Sequence, residues 1–109
     1  LEENLEILKC STDQDGKKFK LIELPMPGVV GPPRSDCDHS RLPASYANFY
    51  IGNHAVLVPV YSHKNDTAAL KVIRKAFPSK KVIGIECSAL VYGLGSIHCV
   101  TQQQPSSQL

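Results

Sequence analysis

The alternation of apolar and polar positions in the first quarter of the chain predicts a helix, a reversal and a strand. Leucines recur at helical spacing through residues 1–10 with glutamates between them, which is typical of an amphipathic helix. The pair Asp15-Gly16 then predicts a tight turn. Apolar and polar residues alternate over residues 19–24, so we predict a strand there that ends before Pro25.

The second half of the chain has the pattern of a strand–strand–helix–strand unit. The patterned segments are strands at 47–51, 55–61 and 81–87 and a helix at 67–77. The first two strands flank a short polar turn and should form a hairpin. The run Val56-Leu57-Val58 is apolar throughout, which favours a strand buried on both faces. Asp66 is a suitable N-cap for the helix.

A long irregular stretch separates these two parts. Residues 28–43 are rich in glycine and proline, and loops of this length often carry function, so this one could form a lid. It contains Cys37 and His39, which could begin a metal site. The chain has no second Cys/His pair at zinc-site spacing, so we predict no metal.

Composition and charge narrow the class of protein. The 109 residues suffice for one domain at most, and 42% hydrophobic content predicts a globular chain. A net charge of +2 with few aromatic residues argues against nucleic-acid binding, and no apolar run has the length of a membrane span. The chain begins without Met, which suggests a piece of a longer protein.

The four cysteines, at positions 10, 37, 87 and 99, are widely spaced, and residues 1–10 do not have the pattern of a secretory signal. We therefore expect free thiols and a cytoplasmic location. Cys99 is the candidate for chemistry because it follows a glycine-containing turn, Gly93-Leu94-Gly95-Ser96. Those glycines would allow the backbone to approach a ligand closely. The alternative is a buried cysteine that packs as a small apolar side chain.

None of the histidines is a convincing general base for Cys99. If residues 97–101 are extended, as we predict, His98 points away from its neighbour Cys99. His54 and His63 lie at a hairpin tip and just after a strand, where structural or exposed histidines are common. The chain has no His-x-Asp or His-x-Glu pair.

Three blocks of sequence are informative together: Arg41-Leu-Pro-Ala-Ser-Tyr-Ala-Asn-Phe-Tyr-Ile-Gly-Asn53, Val56-Leu-Val-Pro59 and Gly93-Leu-Gly-Ser-Ile-His-Cys-Val-Thr-Gln-Gln-Gln-Pro105. They resemble the agmatine deiminases, in the porphyromonas-type peptidylarginine deiminase group. The Ile-His-Cys-Val-Thr-Gln-Gln signature is highly specific. Shorter matches in the first 27 residues extend the resemblance over nearly the whole chain, which is similar to the C-terminal part of these enzymes.

The resemblance implies an α/β fold that is part of a pentein, a ring of five ββαβ-type modules, of which this chain would contain about one and a half. It divides the chain into the end of one module (1–27, helix then strand), a long loop (28–44), the last module with the nucleophile loop (45–104) and a tail (105–109). The remaining modules would be its partners, and a homo-oligomer would be compatible with this arrangement.

The resemblance also implies the chemistry. Cys99 matches the nucleophile, which would convert agmatine to N-carbamoylputrescine and ammonia for putrescine synthesis through an amidino-cysteine (thiouronium) intermediate. The backbone of Gly93, Leu94, Gly95 and Ser96 would contact the substrate, and no cofactor or metal would be needed. The carboxylates and the His-x-Asp pair of the family match no position here, so the isolated chain should be inactive.

Two departures from the family pattern leave the substrate open. The usual Gly-Gly-Gly-Asn is Gly93-Leu94-Gly95-Ser96 in this chain, and the hairpin has Asn53-His54 where Asn-Gly is common. The Leu94 side chain could narrow the pocket. A deiminase of free or peptidyl arginine is therefore one alternative, and a non-catalytic truncated fragment is another.

Overall fold

A small mixed sheet lies at the centre of the computed structural model, which describes residues 2–31 and 41–106. Its strands β1 (Tyr50–Ile51), β2 (Ala55–Val60) and β3 (Lys81–Glu86) lie side by side in chain order. β1 pairs antiparallel with β2 to form the predicted hairpin, and β2 pairs in parallel with β3. β2 is the central strand because its apolar run can be buried on both faces.

Two helices accompany the sheet. Helix α1 (Glu2–Cys10) has no buried residue, and helix α2 (Asp66–Ala76) is the crossover between the parallel strands β2 and β3. α2 buries Ile73 against Val56, Val58 and Val82 of the sheet. The order strand, strand, helix, strand is the ββαβ unit that the sequence predicted.

A second apolar cluster lies next to the C-terminal part of the chain. Its buried members include Tyr46, Tyr61, Cys87, Val91 and Ile97. These residues come from a turn before β1, from the end of β2, from the end of β3 and from the segment that leads to Cys99. This cluster therefore joins the segments that carry the candidate site.

The predicted strand at residues 19–24 is wrong. The segment is irregular, and Phe19 and Ile22 are about half exposed, at 48% and 47%. A segment of alternating apolar and polar residues forms a strand only where a neighbouring strand accepts and donates the ladder hydrogen bonds. No described strand pairs with residues 19–24. The first strand of the hairpin is also shorter than predicted, because residues 46–47 form a turn.

Asp66 is the first residue of α2 and not its N-cap. Asn65 occupies the N-cap position, and its side chain makes no capping hydrogen bond. The Asp66 carboxylate instead accepts the backbone N–H groups of Tyr61 and His63 and the hydroxyl of Tyr46. It therefore ties the end of β2 to the turn before β1.

The predicted extended piece at residues 97–101 is a turn of 3-10 helix over His98–Val100. The N–H of Val100 donates to the carbonyl of Ile97, and the N–H of Thr101 donates to the carbonyl of His98. These backbone groups bond locally, so the segment joins no β-ladder. A second 3-10 turn, Leu90–Gly93, follows β3.

The described residues contain no helix that combines the length and apolar character needed to cross a membrane. The central part of the predicted loop, residues 32–40 with Cys37 and His39, lies outside the described residues. No group of three or more His, Cys, Asp or Glu side chains within 2–31 and 41–106 could hold a metal ion.

Candidate active site

Cys99 lies in the middle of the 3-10 turn His98–Val100, and its side chain is exposed. Its sulfur accepts a hydrogen bond of 3.0 Å from Nδ2 of Asn48, a residue just before β1. The two residues are 51 positions apart in the sequence, so the fold brings them together. An exposed thiol that accepts a hydrogen bond is better suited to nucleophilic chemistry than a buried one.

The orientation of the Asn48 amide is fixed by the neighbouring backbone. Its Oδ1 accepts the N–H of His98 at 2.8 Å, and the backbone carbonyl of Asn48 is 3.2 Å from the same nitrogen. A backbone N–H can only donate, so the amide oxygen must face His98. The NH2 group is then directed at the Cys99 sulfur.

The surroundings of the cysteines affect their thiols differently. The hydrogen bond from Asn48, followed by one from the backbone of Ser96, lowers the pKa of the Cys99 thiol. At Cys87, which is buried, desolvation and then the charge of Glu86 raise the pKa of the thiol. Cys10 is exposed on α1 and belongs to neither apolar cluster. Of these thiols, Cys99 has the setting of a nucleophile and Cys87 that of a packing residue.

Gly95 lies directly against the candidate nucleophile. A Cβ atom at this position would be 2.8 Å from Cβ and 3.0 Å from Sγ of Cys99. Both distances are shorter than ordinary van der Waals contacts of a Cβ atom. Gly93 has open space around it. Leu94 adopts the left-handed conformation with φ +67°, and its side chain is 66% exposed.

The hydroxyl of Ser96 is directed into the protein. Ser96 is fully buried, and its Oγ is 2.8 Å from the hydroxyl of Tyr61. Ser96 is buried as a whole residue, backbone included, so the predicted substrate contacts of residues 93–96 would fall to Gly93, Leu94 and Gly95, which are exposed or half-buried. Those contacts remain a prediction.

The Tyr61 hydroxyl also holds the segment that carries Asn48. It donates to the carbonyl of Ser45 and accepts the N–H of the same residue, both at 3.2 Å. Tyr46, the next residue, donates its hydroxyl to Asp66 at 2.6 Å. Burial, and then the hydrogen bond to Asp66, raises the pKa of Tyr46. The turn at residues 45–48 is thus anchored at two points beneath the site.

An open cleft of about 350 Å³ is lined by Ser45, Ala47, Asn48 and His98. Cys99 is not in the lining, but its hydrogen-bond partner Asn48 and its chain neighbour His98 are. In the part of the chain that the structure describes, the Cys99 sulfur bonds to Asn48 and not to the His98 ring. The strand argument against a Cys99–His98 pair was wrong in its premise, since the segment is helical. Successive residues of a 3-10 turn are about 120° apart, so the two side chains still diverge.

The other histidines have different settings. Nδ1 of His63 accepts the N–H of Asn65 at 3.2 Å, and its ring lies against Gly28. His54 is exposed at the tip of the hairpin. No carboxylate lines the cleft within the described residues.

Comparison with known proteins decides the family. The sequence model described as Porphyromonas-type peptidyl-arginine deiminase matches residues 1–105. The chain belongs to this family. An agmatine deiminase of Medicago truncatula is 40% identical over an alignment of 120 positions. The alignment covers 96% of this chain and 32% of that protein. The chain spans about a third of the length of the curated relatives it matches.

Solved structures of the family share the fold. The agmatine deiminase of Enterococcus faecalis has a TM-score of 0.86 and 33% identity, over 95% of this chain and 32% of that one. A Porphyromonas gingivalis protein, provisionally assigned as an arginine deiminase, has a TM-score of 0.80 and 44% identity, over 95% and 29% of the two chains. The predicted partial pentein fold is confirmed.

Sequence reasoning proposed Cys99 but assigned no role in the site to Asn48 or Tyr61, and it gave Asp66 only the role of a helix N-cap. Asn48 lies within the Asn-Phe-Tyr block that contributed to the resemblance, which was the one signal that could have pointed to it. Tyr61 had no such signal, because its importance comes from hydrogen bonds to residues 16 and 35 positions away.

Proposed function

We propose that this chain carries the nucleophile of an agmatine deiminase, a hydrolase that cleaves a C–N bond of a guanidinium group. The observation that carries the proposal is the exposed Cys99 thiol, whose pKa is lowered by hydrogen bonds from Asn48, a residue that lines an open cleft, and from Ser96. The agmatine deiminases of Medicago truncatula and Enterococcus faecalis, which match nearly the whole chain, support it.

The proposed reaction has two stages. The Cys99 thiolate attacks the central carbon of the agmatine guanidinium and forms a C–S bond. One nitrogen takes up a proton and leaves as ammonia, and an amidino-thioether (S-alkylthiouronium) remains on the sulfur. Water then adds to the same carbon and the C–S bond breaks. The products are N-carbamoylputrescine, which belongs to putrescine synthesis, and the regenerated thiolate.

A guanidinium ion is a weak electrophile because resonance spreads its charge, so a polarisable thiolate is a suitable nucleophile. The positive charge of the bound substrate would lower the thiol pKa further and increase the thiolate fraction. A general acid must give a proton to the nitrogen that leaves as ammonia, and a general base must remove one from the attacking water. No metal or organic cofactor enters this scheme.

We propose that other segments of a longer cytoplasmic protein supply the remaining groups. Those groups are the carboxylates that bind the guanidinium and a histidine that transfers protons. Residues 45–104 would be the last module and residues 1–27 the end of the preceding one. The chain by itself would then be inactive, and its exposed apolar residues would lie against the other modules.

The proposal is tested by assaying the complete protein with agmatine and measuring ammonia and N-carbamoylputrescine. Cys99→Ala should abolish turnover, whereas Cys10→Ala, which removes an exposed thiol on α1, should retain it. Turnover by the Cys99→Ala variant would refute the role of this residue.

A deiminase of free or peptidyl arginine is the second candidate. It is favoured by the 44% identity to the Porphyromonas gingivalis protein and by Leu94, which projects from the turn next to Cys99. The same assay with arginine and an arginyl peptide separates the two, since these substrates carry a carboxylate or a peptide where agmatine carries hydrogen. A kcat/KM higher for arginine would select the second candidate.

A non-catalytic fragment is the third candidate. The observation behind it is that this chain matches only about a third of the length of its relatives. An upstream reading frame that encodes a His-x-Asp pair and acidic partners would favour the enzyme. A native start at Leu1 would favour the fragment.

A further inference from the structure

The candidate site is built from two segments that are distant in the sequence. The nucleophile segment, residues 95–99, carries Cys99, and the facing segment, residues 45–48, lines the open cleft together with His98. Asn48 joins the two at the surface through exposed hydrogen bonds to His98 and Cys99. Water can replace either partner of an exposed hydrogen bond, so these contacts alone hold the two segments together only weakly.

A second connection between the two segments lies beneath the first and is buried. The hydroxyl of Tyr61, which follows β2, is 2.8 Å from Oγ of the fully buried Ser96. The same hydroxyl donates to the carbonyl of Ser45 and accepts its N–H, both at 3.2 Å. Because a tyrosine hydroxyl has a single proton to donate, Ser96 is then the donor between the two hydroxyls. One oxygen atom therefore holds both segments.

We propose that Tyr61 is a positioning residue whose buried hydroxyl fixes the nucleophile segment against the facing segment and so sets where the Cys99 sulfur lies relative to the cleft. The proposal rests on the proposed function for its effect on turnover. Its structural part, the effect of a buried hydroxyl on an exposed thiol, can be measured without any substrate.

Burial is what distinguishes this connection from the one at the surface. Water cannot replace the lost partner of a buried hydroxyl, so separating Tyr61 from Ser96 costs the full desolvation penalty of the group left behind. The ring of Tyr61 is held as well, because it packs against the ring of Tyr46, with 5.8 Å between the centroids, inside the apolar cluster. The hydroxyl is thus in place before any substrate binds, and a preorganised group needs little reorganisation during the reaction.

The nucleophile segment is tight enough to pass a displacement of Ser96 on to Cys99. Gly95, which precedes Ser96, is so close to Cys99 that a Cβ on it would be 3.0 Å from Sγ. The hydrogen bond from Asn48, and then one from the backbone of Ser96, lowers the pKa of the Cys99 thiol. A shift of Ser96 therefore changes both the position and the surroundings of the sulfur. Misplacement of a reacting atom by about 1 Å can cost about a hundredfold in rate.

Tyr46 offers a matched control within the same cluster. It is a fully buried tyrosine, and its hydroxyl donates to Asp66 on α2 at 2.6 Å. Among the described residues this hydroxyl has no bond to the nucleophile segment. Tyr46→Phe therefore removes a buried hydroxyl of the same kind and leaves the contact between Tyr61 and Ser96 in place. Ser96→Ala removes that contact from the other side and keeps both bonds between Tyr61 and Ser45.

The first experiment measures the rate of iodoacetamide alkylation at Cys99 in the complete protein as a function of pH, resolved by peptide mass spectrometry. Tyr61→Phe should move the midpoint of the rate profile to higher pH, because the groups that donate to the sulfur belong to the segments it releases. Below that midpoint the rate should fall about threefold, as expected when a hydrogen bond to a charged acceptor is weakened. Ser96→Ala should shift the midpoint in the same direction, and Tyr46→Phe should shift it less than Tyr61→Phe does.

The other cysteines show whether a variant is folded. Cys87 is buried in the cluster that contains Tyr61, so its alkylation reports unfolding, and the exposed Cys10 is a reference for the intrinsic rate. A loss of stability alone would label Cys87 and leave the Cys99 midpoint of the folded molecules in place. His98, the titratable neighbour of Cys99, is unchanged in every variant and affects all the profiles equally.

The second experiment measures deimination by the complete protein below the unfolding temperature of each variant. Tyr61→Phe should lower kcat per folded molecule about tenfold and leave KM within about twofold, because the buried hydroxyl positions the sulfur and does not touch the substrate. Tyr46→Phe should keep a kcat closer to that of the parent.

A Cys99 midpoint that is unchanged in folded Tyr61→Phe and Ser96→Ala would overturn the proposal, as would an equal shift in Tyr46→Phe. If Tyr61→Phe does not fold, Ser96→Ala decides the question alone. If the complete protein deiminates neither agmatine nor arginine but the midpoint shifts, the proposed function fails while Tyr61 still positions the thiol. If turnover depends on Cys99 but the midpoint and kcat of both variants match the parent, only the role of Tyr61 fails.

Discussion

Gly95 and Cys99 are in such close contact that a methyl group on the first would displace the second. A Cβ at Gly95 would lie 2.8 Å from the Cys99 Cβ, and the Cys99 Cβ is fixed to the backbone of the 3-10 turn. We therefore expect Gly95→Ala to shift the turn and break the contact between Cys99 and Asn48. Deimination by the complete protein should fall by about tenfold or more, since misplacement of a reacting atom by about 1 Å can cost about a hundredfold.

Gly93→Ala is the control for this prediction. Nothing lies within 4 Å of a Cβ at Gly93, and its φ lies outside the left-handed range. Its stability and the rate at which iodoacetamide alkylates Cys99 should stay close to those of the parent, because the added methyl group meets no protein atom. Equal alkylation rates and equal stabilities of the Gly95→Ala and Gly93→Ala variants would contradict the close approach at Gly95.

Tyr61 should contribute to stability through its hydroxyl. Tyr61→Phe removes the partner of the fully buried Ser96 hydroxyl and the two hydrogen bonds with the Ser45 backbone. An unsatisfied buried polar group costs about 1–3 kcal/mol, so the free energy of unfolding should fall by about that amount. Urea unfolding measures it.

A double-mutant cycle with Ser96→Ala isolates the contact between the two hydroxyls. The double variant should lose less stability than the sum of the two single variants, because no hydroxyl is then left unpaired at Ser96. Tyr92→Phe is a suitable control, since Tyr92 is 47% exposed. Additive losses in the cycle would show that Tyr61 and Ser96 do not interact.

Leu94 should be a point of backbone strain. It has φ +67° and its side chain is 66% exposed, so replacement with glycine relieves the strain and loses little packing. The left-handed conformation costs a non-glycine residue about 1–2 kcal/mol, and part of the gain is offset by the greater freedom of glycine in the unfolded chain. Leu94→Gly should therefore raise the free energy of unfolding by about 0.5–1 kcal/mol.

Leu90→Gly provides the opposite case in the same segment. Leu90 lies in the 3-10 turn Leu90–Gly93 and its φ is not positive. Glycine there should destabilise the protein by about 1 kcal/mol. A Leu94→Gly variant that loses stability as Leu90→Gly does would show that Leu94 is not strained.

Glu86 should make stability depend on pH at the end of β3. Hydrogen bonds from Ser88, followed in strength by those from Ser62, lower the pKa of this carboxyl. A lowered pKa means that the ionised carboxylate stabilises the folded state. This stabilisation is complete above the pKa of the carboxyl in the unfolded state, about 4.3, and is lost as pH falls through its lower pKa in the folded state. Because Glu86 is exposed, the effect should stay below about 1 kcal/mol.

The measurement compares Glu86→Gln with the parent by urea unfolding at neutral and at acidic pH. The parent should be more stable at neutral pH, and the difference should shrink on acidification. Glu23→Gln, at another exposed glutamate, should show a smaller difference at neutral pH. A gap between Glu86→Gln and the parent that widens towards acid would contradict the assignment.

The sequence predicted the parts of the fold that local patterns control. The apolar run Val56-Leu57-Val58 correctly indicated the central strand, and the periodicity of residues 67–77 located α2 to within one residue. Residues 19–24 have an equally regular alternation, but a strand also needs a partner, and no described strand provides one. That requirement cannot be read from the segment itself.

The candidate site was predictable only in part for the same reason. A glycine-containing turn before Cys99 can be seen in the sequence, and it identified the thiol as a candidate. The residue with the largest effect on this thiol, Asn48, is 51 positions away, and the buried support comes from Tyr61. Residues 97–101 were expected to be extended, yet they form a 3-10 turn whose first N–H is bound by Asn48. Contacts between distant segments decided both outcomes.

Covalent labelling of the complete protein tests the proposal that Cys99 attacks the guanidinium carbon. A haloacetamidine resembles the guanidinium group and alkylates the nucleophile that recognises it. After inactivation and digestion, mass spectrometry should find the amidine adduct on Cys99, and agmatine added beforehand should slow its formation. Inactivation with the label on Cys10 or Cys87 and an unmodified Cys99 would contradict the assignment of Cys99 as the nucleophile.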